Sequence, residues 1–460
     1  MLHASQTTAR SVLRIYLLAG IATLAGCGNT DSSDENAGTL VLDTNPPGAV
    51  LDGAFGAGSG RILLSANESE AVEIVEDANG NLVIAGTIID GAGDMQVAVW
   101  RLLPNGDLDG SFGTGGTTII DVSTASPDQD SVVGMAIDGA GKIVVAGTAD
   151  GTGGDRDIFV ARLFSDGLID LGFGSGGDGV VYAGNDATML HDDTAADLII
   201  GIGGSIQVIG NSRISGTTDI GELASWRFLN VGLIDNSFAS GGLFLSGTNG
   251  DRGAAVLNDL SGLSYLIGSR GGSLTIWRLL ATGALDAGFS AGGISTIPAP
   301  AGSLVPFAAT VYDNISFMVV GRRTESGITD RFFATRLFID GTLETAFGVG
   351  GFLSFASFTG DSGANSLSVA PSGQVITAGV TTLRDATTAA NSPAGAMWLI
   401  TAAGFFDPIL AGGGVAHLSS ANDSGTTARS VTVDSLNRLV VAGSVDLGTG
   451  TSTAVVWRTP

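Results

Sequence analysis

Side chains able to catalyse a reaction or ligate a metal are scarce in this sequence. Its 460 residues hold three His and one Cys, which rules out a disulfide framework and any Cys-rich zinc site. His3 sits at the N-terminus, while His191 and His417 stand alone, with no second His at a metal-ligand spacing. Lys142 is the only lysine, and neither a Gly-x-x-x-x-Gly-Lys-Ser/Thr phosphate loop nor a Gly-x-Ser-x-Gly elbow occurs. Carboxylates are the abundant reactive group: 45 Asp and Glu stand against 20 Lys and Arg, for a formal charge of −25. That balance excludes nucleic acid as a partner, because phosphate contacts need clustered Lys and Arg.

Calcium is the chemistry such a sequence could best support, since the ion wants roughly six to eight oxygens in one place. Weak candidates are Asp150, Asp155 and Asp157. No Asp-x-Asp-x-Asp-Gly loop occurs, so calcium is an alternative to a plain solvated acidic face, and no other cofactor is expected. Acids also recur ahead of a strand-like stretch: Glu68 and Glu70, Asp128 and Asp130, Asp192 and Asp193, Asp251, Asp361 and Asp423. Of these, Asp130, Asp193, Asp251, Asp361 and Asp423 are the expected partner-binding positions, on loops of one face.

The elements that place these groups repeat. A strand ending in Gly recurs at Gly86, Gly147, Gly210, Gly268, Gly321, Gly379 and Gly443, in steps of 61, 63, 58, 53, 58 and 64 residues. A second phrase follows each, such as Val-Ala-Val-Trp-Arg-Leu ending at Leu102. All five Trp (Trp100, Trp226, Trp277, Trp398, Trp457) fall at one position of it. A third phrase closes the unit, Asn-Gly-Asp-Leu-Asp-Gly-Ser-Phe-Gly-Thr-Gly-Gly at residues 105–116, and its Phe recurs as Phe55, Phe112, Phe173, Phe238, Phe289 and Phe347. Copy six departs from the pattern, with Leu399 for the Arg and Leu410 for the Phe. Asp361-Ser362 has the local form of a nucleophilic serine loop, but Asp251 and Asp423 stand at the same place in other copies, so it reads as a repeat loop.

These phrases resemble the delta-60 repeat of bacterial secreted proteins, over about residues 48–460. The resemblance implies a β-propeller and no defined activity. The residues agree: within one unit the strand candidates are 131–138, 142–149, 157–164 and 179–182, rich in Val and Ile and bounded by Gly or Asp turns. Four strands in each of seven units predict an all-β, seven-bladed propeller. An N-terminal strand at residues 60–65 is expected to complete the last blade and close the ring. Trp and Phe are expected to pack between blades, and the motif Arg to pair with a motif Asp or with strand-end carbonyls. Long loops are expected at 87–96, 148–157, 212–223, 322–331 and 380–396, all on one face.

The N-terminus reads as an address. Residues 1–26 have a positive region (Arg10, Arg14) and an apolar stretch too short to span a bilayer. Leu24-Ala25-Gly26-Cys27 resembles the lipobox of bacterial lipoproteins, which implies cleavage before Cys27, a lipid on its thiol and membrane anchoring. Gly28, where Asp would signal inner-membrane retention in that family, favours the outer membrane, on its periplasmic side or at the cell surface. Residues 27–47 read as the lipidated Cys and a tether. Loss of residues 1–26 removes two Arg and no acid, leaving 18 positive against 45 negative residues, or −27. The expected function is a lipid-anchored, non-catalytic binding or scaffold module for an envelope protein or glycan. The alternative is an envelope hydrolase, lyase or dehydrogenase with its site in the propeller channel, where Glu73 and Asp197 are the inner-strand acids.

Overall fold

The computed structural model describes residues 49–460 apart from 124–128, 151–154, 184–190, 215–219, 260, 356–359, 385–390, 412 and 419–422. Cys27 and the divisions at residues 26 and 47 lie outside the described residues. Among those described, no helix is long and apolar enough to cross a membrane.

Seven four-stranded antiparallel sheets form the blades of a propeller. Blade 1 comprises Ser69–Glu76, Leu82–Ile89, Met95–Leu102 and Thr117–Ile120. Blade 2 comprises Ser131–Ile137, Ile143–Asp150, Arg156–Leu163 and Val180–Ala183, each within one residue of the bounds read from sequence. Blade 3 follows as His191–Ile200, Ile206–Ile214, Glu222–Phe228 and Leu243–Leu245, and blade 4 as Arg252–Asn258, Ser264–Arg270, Ser273–Leu279 and Ile294–Ile297. Blade 5 is Ser303–Asp313, Ser316–Glu325, Ile328–Phe338 and Phe352–Phe355, and blade 6 is Ser362–Val369, Val375–Arg384, Asn391–Ile400 and Val415–His417. Blade 7 takes Gly425–Val433, Leu439–Asp446 and Ser452–Arg458, and Arg61–Leu63 adds its fourth strand, with Arg61 opposite Trp457. The first strands of neighbouring blades contact one another around the ring, so they are the inner strands. The strands run further than expected into the predicted loops: in blade 5 the supposed loop 322–331 is a hairpin whose second and third strands end at Glu325 and start at Ile328.

The blade glycine has a steric cause. Every inner strand carries a β-bulge, which turns one carbonyl toward the second strand. A Cβ on Gly86, Gly147, Gly210, Gly268, Gly321, Gly379 or Gly443 would sit 1.8–2.2 Å from that carbonyl oxygen. Only a residue without a side chain fits.

The third phrase is a staple between blades. Arg101 forks onto Asp109 (Nε to Oδ2 2.8 Å), lies over the Phe112 ring at 4.7 Å, and donates through Nη1 to the carbonyl of Ser165 in the next blade. The same set recurs at Arg162–Asp170, Arg227–Asp235, Arg278–Asp286, Arg336–Glu344 and Arg458–Asp52, the last joining the two chain ends. Each Phe lies under the turn glycine of the next copy: a Cβ on Gly167, at φ +85, would meet the Phe112 ring at 2.9 Å. The expected packing of Trp and Phe is what the cores show. Phe173 of one copy and Trp226 of the next share a core between blades 2 and 3, and Phe55 with Trp100, Phe238 with Trp277 and Phe347 with Trp398 repeat the arrangement. Phe112 and Phe289 serve the same way where Trp is absent, and Trp457 packs with Leu410. In copy six the absent Arg is replaced from elsewhere: Gln374 donates to Asp407 at 2.6 Å.

Candidate functional site

The acids ahead of the inner strands are mostly architectural. In register, Ser69, Asp130, Asp193, Asp251, Leu304, Ser362 and Thr426 share one position, two residues before the bulge, and all seven are buried. Its role is plain where it is Ser or Thr. The amides of Ala454, Phe332 and Gly395, in the third strand of the preceding blade, donate to Ser69, Ser362 and Thr426 at 3.0, 3.1 and 2.6 Å. The position is a latch between blades. Of the acids expected to bind a partner, Asp130, Asp193 and Asp251 occupy this buried position, and Asp423 stands three residues ahead of its blade 7 counterpart, Thr426. Asp130 accepts from the Ser123 amide (3.1 Å), Asp251 takes a two-pronged Arg270 (2.9 and 2.6 Å), and Asp423 holds Arg61 of the ring-closing strand at 3.0 Å. The physical reason is that a carboxylate buried between blades is retained only with partners. Asp361 alone of the five is exposed, and it accepts from the Asp330 amide at 2.9 Å.

The calcium candidates divide. Asp150 lies 3.7 Å from Arg156 and accepts from the Gln129 amide, whereas Asp155 and Asp157 are buried. Burial, then the charges of Asp155 and Asp193, push Asp157 up to about 6. Among the described residues, no group of three or more His, Cys, Asp or Glu side chains could hold a metal ion. His417 is buried in the outer strand of blade 6, and burial pushes it down to about 4.

The inner-strand acids span blade joins. Glu73 accepts from the Ser430 hydroxyl at 2.6 Å, and Asp197 from the amides of Leu198 and Val256 at 2.7 and 2.9 Å. Serines do the same, at the Glu73 join and the one before it: the Ile74 and Val431 amides donate to Ser430 and Ser366 at 3.3 and 3.2 Å. Partly accessible yet hemmed in by protein, both acids are pushed up to about 7, chiefly by burial, with the Asp197 charge adding to Glu73.

Among the described residues, blade 3 leaves polar groups open beside its staple. In most blades an Asp opens the turn between the first two strands and caps it: Asp77, Asp138, Asp259 and Asp434 each accept two turn amides. Blade 3 has Gly201 there, and Asn258 of blade 4 leans over it, 2.8 Å from where a Cβ would stand. In three blades the residue just before the second strand reaches the staple carboxylate. Lys142 does so to Asp170 (2.8 Å), Gln374 to Asp407 (2.6 Å) and Arg438 to Asp52 (3.8 Å). In blade 3 that residue is Ser205, too short to reach Asp235. A cleft of about 450 Å³ opens instead, walled by Gln207, Asn230, Asn258, Ser264 and the Arg227–Asp235 pair, with Ile202 and Leu229 as exposed shoulders. It lies on the side of the short turns, opposite the face expected from sequence. Blade 3 is the copy in which a turn without the Asp (Gly201) and a residue too short to reach the staple acid (Ser205) coincide.

A family model described as a β-propeller domain of unknown function (DUF5122), related to delta-60 repeat propellers, matches residues 78–112 and 141–173. Solved structures similar in fold include a catalytically inactive virginiamycin B lyase from Staphylococcus aureus (12% identity, 69% of this chain and 94% of that one, TM-score 0.34). Others are a PQQ-bound aldose sugar dehydrogenase from Streptomyces coelicolor (13%, 69% and 91%, TM-score 0.38) and a protein of unknown function from Dyadobacter fermentans (10%, 87% and 99%, TM-score 0.43). No curated protein matches the chain.

Proposed function

We propose that this chain is a non-catalytic binding propeller of the cell envelope, lipid-anchored through Cys27. One observation carries the reading. The motif Arg, Asp and Phe, the latch Ser and Thr and the inner-strand acids serve as joints between blades, and the blade 3 cleft is a place where the repeat departs from its own joinery. A scaffold that spends its reactive groups on rigidity suits binding at a site grafted onto it. The lipid would keep that site at the membrane surface.

The test uses the full chain expressed with its N-terminal segment in a bacterial host. Wild type should incorporate labelled palmitate and sediment with membranes, and Cys27→Ala should lose the label and become soluble. Crosslinking in envelope fractions should then recover one protein or glycan in unmodified form. A membrane-bound, unlabelled wild type refutes the anchor, and a chemically altered bound molecule refutes the non-catalytic reading.

A further inference from the structure

The blade 3 cleft has a chemistry of its own, and the inference here rests on the binding reading above while naming the ligand class. Its charges are already matched. Arg227 places Nε and Nη2 on Asp235 Oδ2, both at 2.8 Å, and Nη1 on the Ala281 carbonyl at 2.6 Å, while Asp235 Oδ1 takes the Ser237 amide and hydroxyl. Neither an anion nor a cation meets an unmatched charge there. The remaining polar groups are amides and hydroxyls. Gln207 is fixed between the hydroxyls of Ser225 (3.0 Å) and Ser264 (2.7 Å), so that wall is rigid. Asn258 lines the cleft, and its Oδ1 is closed off without a hydrogen-bond partner, so a guest that turns the amide toward the cleft gives that acceptor a donor. Ile202 and Leu229 offer apolar surface at the rim. The volume, about 450 Å³, falls in the range of small-molecule sites.

We propose that this cleft binds a neutral sugar, its hydroxyls on the Asn258 and Asn230 amides and its apolar ring face on Leu229 and Ile202. Free saccharide and the end of a glycan chain share that chemistry.

The fold supplies its own plug for a test. Ser205→Lys writes into blade 3 what Lys142 does in blade 2: the ammonium should reach Asp235 and fill the cleft. Ser205→Gln, copying Gln374, is the second variant should the first not fold, with thermal melting of each as the check. The probes are maltose, cellobiose, lactose and chitobiose, free by calorimetry and immobilised on an array, with sialyllactose and digalacturonate as acidic arms. The full chain in detergent should bind at least one neutral probe. The Ser205 plug should weaken that binding by more than about tenfold, and Asn258→Ala by about tenfold, the loss of one hydrogen bond. Binding to free probe points to a soluble saccharide, and binding only on the array to a glycan chain. Exclusive binding of acidic probes, or neutral binding untouched by the plug, overturns the proposal. Capture of an envelope protein by wild type but not by the plugged variant also overturns the sugar assignment, and leaves the binding reading standing.

Discussion

Arg101→Leu tests whether the repeat motif exists for mechanical reasons. The substitution removes the fork onto Asp109 (2.8 and 2.7 Å), the bond to the Ser165 carbonyl across the blade join, and the cation over Phe112 at 4.7 Å. It keeps an apolar side chain of similar reach over the ring. The pair is largely buried, with side chains 11% and 12% exposed, so the loss lies between that of a surface pair and that of a fully buried one. A surface pair is worth roughly 0–1 kcal/mol, and breaking a buried one costs about 3–5. Asp109 keeps its bonds to the Ser111 amide and hydroxyl, which softens the loss. Adding about 0.5–1 kcal/mol for the cation–π contact, we expect a destabilisation of about 2–4 kcal/mol. Blade 6 shows the rescue, because there Leu399 already replaces the Arg and Gln374 bonds Asp407 instead. Asn81 precedes the second strand of blade 1 as Gln374 does in blade 6, so Arg101→Leu with Asn81→Gln should recover about 1 kcal/mol, the worth of one hydrogen bond. Urea unfolding of the four proteins, followed by Trp fluorescence, forms a double-mutant cycle. A loss below about 0.5 kcal/mol for Arg101→Leu, or full additivity in the cycle, refutes the staple argument.

Two further predictions concern the bulge and the inner ring. Gly210→Ala places a Cβ 1.8 Å from the Thr194 carbonyl and should cost more than about 4 kcal/mol, read as loss of soluble expression or of a cooperative melt; near-wild-type stability would mean that the bulge carbonyl can move aside. Glu73 and Asp197 are raised from 4.5 and 3.8 to about 7, so between about pH 4 and 7 the folded chain holds protons that the unfolded chain has lost. Stability therefore falls as pH rises through that window and levels above it. Asp109, held below its ordinary value chiefly by the Ser111 hydroxyl, with Arg101 adding, works the other way: its contribution is present at neutral pH and lost as pH falls below about 4. The chain should be most stable at mildly acid pH. Glu73→Gln, which keeps an oxygen for Ser430, should flatten the fall between about pH 4 and 7 in urea midpoints; an unchanged slope would remove Glu73 as its source.

Much of the ring can be read along the chain, because a repeat writes each local rule seven times. The spacing of Gly86 and its counterparts, the single Trp position and the recurring Phe sufficed for seven blades of four strands, the closing strand at Arg61–Leu63 and aromatic packing between blades. Strand ends were less legible in the variable stretches, where Ser316–Glu325 and Ile328–Phe338 continue a ladder into residues that looked like loop. Backbone pairing there overrides side-chain polarity.

The burial of these acids is not legible along the chain, for a definable reason. A cluster of Asp and Glu ahead of a strand looks like solvent-facing charge in one dimension. Whether Asp130 or Asp251 meets water depends on the neighbouring blade, whose third strand lies about half a repeat earlier in sequence. Only the register of the bulge shows that the position points into the join. The cleft has the same origin: Ser205 is an ordinary turn residue until the reach of Lys142, Gln374 and Arg438 to their carboxylates is seen in three dimensions. Sequence by itself determined the unit, its count and its closure, since these follow from periodicity and local sterics. Tertiary structure alone decided which polar groups are consumed between blades and where one join is left open, since burial is a property of two blades together.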